Sequence, residues 1–332
     1  MEQKLRNTMK NKVNSTMVAA RAGVSQSTVS LVAGGSPRIS RVTCEAVIRA
    51  ARELGYPLLP RNREHRFALL ATTDHSLHHY QTSVISAAFE VFMKRSIRMD
   101  ILSVHHLETL NERVFSGAIA LSSLSSLTQK WRELELNLPL IRLTQKGSRG
   151  DGIWSVYNDP ETEVRTLLDY LHARGHRKIG LYLRRTEKEE GLLSEQTGRI
   201  FRRELERDGV SSAKTLVSYS ERSHDAGLER RIDLLLKQGI TALAVIPGES
   251  TLKILNHLRK KGIRIPRDLS LVSREIPGVL EYWDPPVTVY APDYAAHLEL
   301  AVDLLEGYYR SRPMRDIAVP GRLIERSSVR RI

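Results

Sequence analysis

The reading turns on Thr16-Met17-Val18-Ala19-Ala20-Arg21-Ala22-Gly23-Val24-Ser25-Gln26-Ser27-Thr28-Val29-Ser30-Leu31-Val32-Ala33-Gly34. Val18, Ala19 and Ala22 recur at helical spacing and give a first helix an apolar face. Gly23 stops that helix, because glycine takes a left-handed conformation without steric cost. Val24 closes the corner, and Ser25 is a good N-cap for a second helix that keeps Val29 and Val32 inside. Gln26, Ser27, Ser30 and Leu31 then face outward. Two short helices joined this way form a helix-turn-helix, whose second helix lies in the major groove and reads base edges from its first turn. On its own the pattern also suits a helical hairpin in some other core. The outward face is small and polar without an acid, and a third helix follows at the right distance, which favours DNA.

The third helix starts at the N-cap Ser40, buries Val47, Ile48, Ala51 and Leu54, and ends at Gly55, with Tyr56-Pro57 closing the unit. The run Val18-Ala-x-x-Ala-Gly-Val-Ser-x-x-Thr-Val-Ser30, with Ile39-Ser40 and Leu54-Gly55-Tyr56, resembles the lactose-repressor (LacI/GalR) family of bacterial transcription regulators. The resemblance continues through Arg174-Gly175-His176-Arg177-Lys178-Ile179, the strand entry at 262–270, Asp284-Pro285-Pro286-Val287-Thr288 and the final strand at 320–327. It therefore covers nearly the whole chain from Ser15. It implies an α/β architecture: an N-terminal helix-turn-helix headpiece, then a two-lobed, periplasmic-binding-protein-like sensor of doubly wound parallel sheets, crossed by three connections.

The 332 residues are too many for one small core, and 41% hydrophobic content suits a globular protein. Of the net charge of +13, the segment up to Arg66 holds twelve basic and four acidic side chains. A basic headpiece suits a phosphate backbone, where each neutralised phosphate releases counterions. A single cysteine, Cys44, excludes an intrachain disulfide and fits a reducing cytoplasm. No apolar run reaches the roughly 18 residues of a membrane span, and the N-terminus lacks a signal-peptide core. The expected localisation is cytoplasmic, on the nucleoid, without membrane attachment.

Along the chain, residues 1–14 read as a disordered basic arm, 15–57 as the DNA-binding domain and 58–66 as a linker entered through Pro57 and broken by Pro60. The resemblance implies a hinge with a leucine wedge in the minor groove, for which Leu58 or Leu59 is available. From 67 to 332 short apolar strands alternate with helices: strands at 67–73, 99–104, 117–121, 138–143, 153–156, 178–183, 214–219, 240–246 and 269–273, and helices at 82–94, 160–173, 195–208, 224–238 and 251–261. That alternation implies parallel sheets covered on both faces. Lobe 1 is expected at 67–157 and 289–317, and lobe 2 at 158–288 and 318–332. The cleft between them is the expected ligand site.

For DNA, Gln26 and Ser27 are the expected base readers, with Leu31 either a third reader favouring a thymine methyl or a residue packed on the linker. Thr16, Ser25, Thr28, Arg38, Ser40 and Thr43 are placed for phosphates and orientation, with Ser30 and Tyr56 also on the DNA side. For the effector, the resemblance implies an arginine near Thr197, where Arg199 is nearest. It implies polar groups after the 240–246 strand, where Glu249 stands, and an acid after the 269–273 strand, where Glu275 accepts hydroxyls. Asp74 and Tyr80 join this set, and Trp154, Tyr157, Trp283 and Tyr290 lie near predicted crossovers, able to stack on a sugar ring or simply to pack. The implied effector is a small polar molecule, a sugar or sugar derivative among the candidates, although regulation without a ligand is also compatible.

The implied assembly is a homodimer on a palindromic operator; the chain runs to Ile332 without the leucine-heptad tail of a tetramer. His75, His78, His79, His105 and His106 lack the Cys or spaced carboxylates of a metal site and read as solvated loop residues. No GxSxG, P-loop or HExxH occurs, and no cofactor is implied. Three classes stay in view. A DNA-binding regulator accounts for headpiece and lobes. A sugar-binding transport receptor accounts for the lobes alone, and a sugar- or nucleoside-processing enzyme would need a catalytic constellation.

Overall fold

The structure is a computed structural model describing residues 13–34, 36, 38–54, 56, 58, 66–72, 78–110, 114–121, 125–134, 138–144, 153–183, 190–210, 216–219, 227–246, 248–309 and 312–332. The arm up to residue 12, Gly55, Pro57, the linker residues 59–65, Asp74, His75 and Pro247 lie outside the described residues.

Three helices form the headpiece: α1 (Ser15–Ala22), α2 (Gln26–Ala33) and α3 (Arg41–Leu54). Asn14 caps α1 by accepting the Met17 N–H at 3.0 Å. Ser25 caps α2 from Thr28 at 3.1 Å, and Ser40 caps α3 from Thr43 at 3.2 Å. Gly23, at φ +69°, makes the left-handed turn between the first two helices. Val18, Ala19, Val29, Val47, Ala50, Ala51 and Leu58 form the buried core, with Ile48, Leu54 and Tyr56 packed partly against it. So small a core is marginal, and each buried valine or leucine counts for about 1.5–3 kcal/mol. Leu58 is only 8% exposed within it. Leu58 is therefore not the free hinge wedge expected from the sequence; its side chain completes the headpiece.

The body holds two six-stranded sheets. The first, in the order β11-β5-β4-β3-β1-β2, is wholly parallel: β1 (Arg66–Ala71), β2 (Arg98–Ser103), β3 (Ala118–Ala120), β4 (Leu140–Thr144), β5 (Ile153–Asn158) and β11 (Ile317–Val319). The second, in the order β12-β10-β9-β8-β6-β7, is parallel except for its edge: β6 (Ile179–Leu183), β7 (Val217–Tyr219), β8 (Ala242–Ile246), β9 (Ser270–Arg274), β10 (Thr288–Ala291) and the antiparallel β12 (Arg322–Ile324). The first sheet is covered by α4 (His78–Lys94), α5 (Ser125–Glu133) and α10 (Tyr294–Tyr309). The second is covered by α6 (Pro160–His172), α7 (Glu190–Arg207), α8 (Leu228–Lys237) and α9 (Thr251–Lys260). The central strands are buried on both faces, which is why they read as unbroken apolar runs such as Ala242–Ile246. No helix among the described residues is long and apolar enough to cross a membrane.

The chain passes between the sheets after β5, after β10 and after β11. Two boundaries differ from expectation. β10 pairs with β9 through Thr288↔Val272 and Val289↔Ser273, so residues 289–291 belong to the second sheet and the crossing follows Ala291. β11 pairs with β5 through Val319↔Asn158, so the last crossing follows Val319. The expected single final strand is thus two short ones in different sheets, separated by Pro320 and Gly321.

Candidate nucleic-acid interface and inter-lobe cleft

On the headpiece, Ser25, Gln26, Ser27, Ser30 and Leu31 are exposed, Leu31 at 43%, so burial within the headpiece does not account for that leucine. The Ser25 hydroxyl lies 2.7 Å from that of Ser27 and 2.8 Å from that of Thr28, besides accepting the Thr28 N–H. Gln26 is held: its Nε2 donates to Ser15 Oγ at 2.9 Å across the α1–α2 corner. Ser15 was not among the expected site residues; a hydroxyl on the opening turn of α1, eleven positions away, gives no local signal. Thr16 and Arg38 are exposed, and the Ser40 and Thr43 hydroxyls meet at 2.9 Å over the start of α3. Tyr56 is half-buried against the core, its N–H bonded to the Ala51 carbonyl at 2.8 Å, so it braces the unit as well as bordering it. Arg21 is engaged elsewhere, paired with Glu53 of α3 at 2.5 Å.

In parallel sheets a ligand cleft opens at the carboxyl ends of the strands. In the second lobe those ends carry Glu249, in the turn after β8, and Arg274 and Glu275, closing β9. Arg274 donates from Nε to Glu163 at 2.9 Å and from Nη2 at 2.5 Å, a bidentate pair with a carboxylate that is 1% exposed. Burial works against the Arg274 charge, but the Glu163 carboxylate outweighs it and holds the guanidinium above its usual range. From the first lobe, Tyr80 of α4 and Tyr294 of α10 meet edge-to-face with centroids 5.6 Å apart. Burial pushes the Tyr294 hydroxyl up, and it feels Arg274, Glu249, Glu163 and Glu275 of the second lobe. Tyr80 and Glu249 of the expected set thus gather here, with Arg274, Glu163 and Tyr294, which the sequence reading missed.

Other expected effector residues are placed differently. Both Glu275 oxygens are engaged: Oε2 accepts from Arg326 at 2.5 Å and Oε1 from the Ile276 N–H at 3.0 Å. With side chains 9% and 13% exposed, this is an internal pair and not a free hydroxyl acceptor. Tyr290 is fully buried and its hydroxyl, pushed up to about 12 by burial, accepts the Gly321 N–H at 2.6 Å, so its ring has no free face. Trp154 stands near the amino end of β5, against Tyr308 at 5.7 Å, about 13 Å along the strand from the crossing. Trp283 packs on the second-lobe core. Thr197 is buried in α7, and Arg199 is exposed on the same helix. Tyr157 is half-buried one residue before the end of β5. His79, His105 and His106 are exposed, and His106 lies 3.2 Å from Glu108.

Comparison with known proteins follows this division. Residues 16–57 match the family described as bacterial regulatory proteins, lacI family, and residues 168–329 match the periplasmic binding protein-like domain. The HTH-type transcriptional repressor CytR of Escherichia coli K12 is 24% identical over 303 residues, covering 87% of this chain and 88% of CytR. The HTH-type transcriptional regulator CelR of Thermobifida fusca is 26% identical over 301 residues, covering 82% of this chain and 84% of CelR. Among solved structures, a CelR–cellobiose complex matches with a TM-score of 0.65 at 24% identity, covering 96% of this chain and 100% of that one. A lac repressor dimer bound to operator and the anti-inducer ONPF matches with a TM-score of 0.62 at 18% identity, covering 96% and 99%.

Proposed function

The chain belongs to the lacI family of bacterial regulatory proteins, and from that premise we propose how its own residues carry out ligand-modulated DNA binding. It is a transcriptional regulator and not an enzyme, as its relatives are. The observation that carries the reading is a small basic helix-turn-helix with an exposed polar face, set before two lobes whose Tyr294 and Arg274 feel each other's charge. We assign the headpiece to 15–58, the linker to 59–65, and the sensor to 66–332. Gln26 and Ser27 read bases, with Leu31 as a contact to a thymine methyl. Thr16, Ser25, Thr28, Arg38, Ser40 and Thr43 position the helix on phosphates.

The effector class follows from charge. Among the described residues, two arginines of the second lobe are neutralised within it, Arg274 by Glu163 and Arg326 by Glu275. Arginines already neutralised in this way suit an uncharged, hydroxyl-rich ligand over a phosphorylated or acidic one. The relative in the CelR–cellobiose complex carries such a ligand. We place the protein in the cytoplasm as a homodimer on a two-fold operator. Phe89 and Met93, four residues apart on α4, are 54% and 77% exposed, and Ile101 on the edge strand β2 is 47% exposed. That apolar face on the first lobe is the surface we assign to the dimer.

Thermal-shift screening of the full chain against neutral sugars, sugar acids and nucleosides tests the class. A neutral sugar should stabilise it and change affinity for DNA sites selected from a random library. A hit confined to anionic sugars refutes the class, and a hit that leaves DNA affinity unchanged refutes the sensor role.

A further inference from the structure

In a parallel lobe every loop that leads into a strand opens at the same end, opposite the cleft. In the second lobe this end gathers the segments before β6 and β10, the turns before β8 and β9, and residues 328–332. The pairing shows them side by side. The Thr241 N–H bonds the Lys178 carbonyl at 2.8 Å, and the Ser270 N–H bonds the Thr241 carbonyl at 3.0 Å. The Arg330 N–H bonds Ser270 Oγ at 3.1 Å, while His176 Nε2 lies 3.0 Å from the Arg330 carbonyl. Lys178, Lys237, Lys260, Arg267, Arg330 and Arg331 are exposed there, and none has an ion-pair partner among the described residues. Three of the nearby acids are already taken, Asp268 by Arg264 at 3.0 Å, Asp233 by Lys261 at 3.0 Å, and Glu325 by Arg174, which leaves Glu281 and Asp284, exposed on the segment before β10, outnumbered by the six cations.

We propose that this distal end of the second lobe binds the phosphate backbone of a DNA duplex, without sequence preference and separately from the headpiece. The cations spread over neighbouring strands, roughly 15 Å at normal strand spacing. Duplex DNA offers a charge about every 1.7 Å, so several phosphates fall within that width. A protein partner would need a desolvated aromatic or aliphatic anchor. Among the described residues of this end only Ile332 and Tyr282, on the segment leading into β10, are exposed large apolar side chains, against six cations. The headpiece and this surface together let one molecule hold two DNA segments.

The test is lysine acetylation of the full chain, read by mass spectrometry of its peptides, with and without a random-sequence duplex of about 40 base pairs at roughly 50 mM salt. Lys178, Lys237 and Lys260 should react at least threefold more slowly with the duplex, and recover their rate at high salt. Lys94 and Lys130, exposed on the first lobe, should not change. Unchanged rates at Lys178, Lys237 and Lys260 while the duplex is bound overturn the proposal. So does protection by phosphatidylserine vesicles but not by the duplex. The variant R267Q/R330Q/R331Q touches only exposed positions, and its far-ultraviolet circular dichroism reports folding. It should lose the protection of Lys178 and Lys237; retained protection refutes the assignment.

Discussion

Replacing Glu163 by leucine should unfold the second lobe selectively. The substitution keeps the volume of the α6 side chain but leaves the Arg274 guanidinium, which donated two hydrogen bonds to the carboxylate at 2.5 and 2.9 Å, without its counter-charge. Breaking a buried pair from one side costs about 3–5 kcal/mol, because the remaining ion stays desolvated. Arg274 is 20% exposed and can recover some hydration, so the lower end applies, about 3 kcal/mol. With a urea slope of roughly 2–3 kcal/mol/M, the midpoint should fall by about 1–1.5 M. Trp283 belongs to the second lobe and Trp131 and Trp154 to the first, so fluorescence in a Trp131→Phe/Trp154→Phe background follows the right unit. Converting Arg274 to leucine as well should restore most of the loss, since an apolar pair of similar volume is often neutral or better. A loss below about 0.5 kcal/mol for the single variant, within the range of a surface substitution, would refute the argument that the pair is buried and tightly coupled. The same double variant also tests the effector reading, because ligand binding should survive if Arg274 is already neutralised by Glu163.

Ser15→Ala should relax base preference at the one operator position read by Gln26, while Ser15→Thr preserves it; random-library selection with each variant checks this, and identical preferred sites remove Ser15 from the readout. Gln26→Ala should cost about 1–3 kcal/mol at that position, and Leu31→Ala should lose a thymine preference if the leucine meets DNA. Met93→Glu on the exposed face of α4 should shift the sedimentation of a micromolar solution from dimer to monomer; an unchanged dimer places the interface elsewhere. His176 is fully buried, and burial lowers its pKa below the ordinary 6.5, so the unfolded chain binds the proton more readily. Its contribution is complete above pH 6.5 and falls as pH drops towards the folded value. His176→Gln should flatten urea stability over that acid window, and an unaltered pH slope counts against the assignment.

The readable parts of the sequence were those whose signals are local. The headpiece announced itself because caps, a left-handed glycine and apolar positions all lie within a few residues of one another. The central strands did so because burial on both faces leaves them few polar positions. The helix α5 was silent: only Leu127 and Trp131, four apart, face the core from an otherwise polar segment. The helix α10 was missed for the opposite reason. It buries residues such as His297, Leu298, Ala301, Val302, Leu304, Leu305 and Tyr308, so it has little polar face to set a period. The cleft was the least legible part. Glu163 meets Arg274 across 111 positions and Glu275 meets Arg326 across 51, and nothing local in a sequence joins such partners.

The crossings show how the lobes can move while staying in register. The first and third are joined by the Asp159 N–H to the Val319 carbonyl at 3.1 Å. The second and third are joined where the Gly321 N–H donates to the Tyr290 hydroxyl at 2.6 Å. A Cβ at Gly321 would stand 2.5 Å from the Ala291 carbonyl oxygen, which is why a glycine is required where these strands pass. Three connections tied to one another bend as a single hinge, so a ligand between the strand ends can close the lobes about that line without sliding them. The first lobe begins at β1, directly after the linker that carries the headpiece. Any rotation of the first lobe about this hinge is therefore delivered to the point where the DNA-binding unit is attached, and the region of Tyr294 and Arg274, which feel each other's charge, is where a ligand has the leverage to drive it.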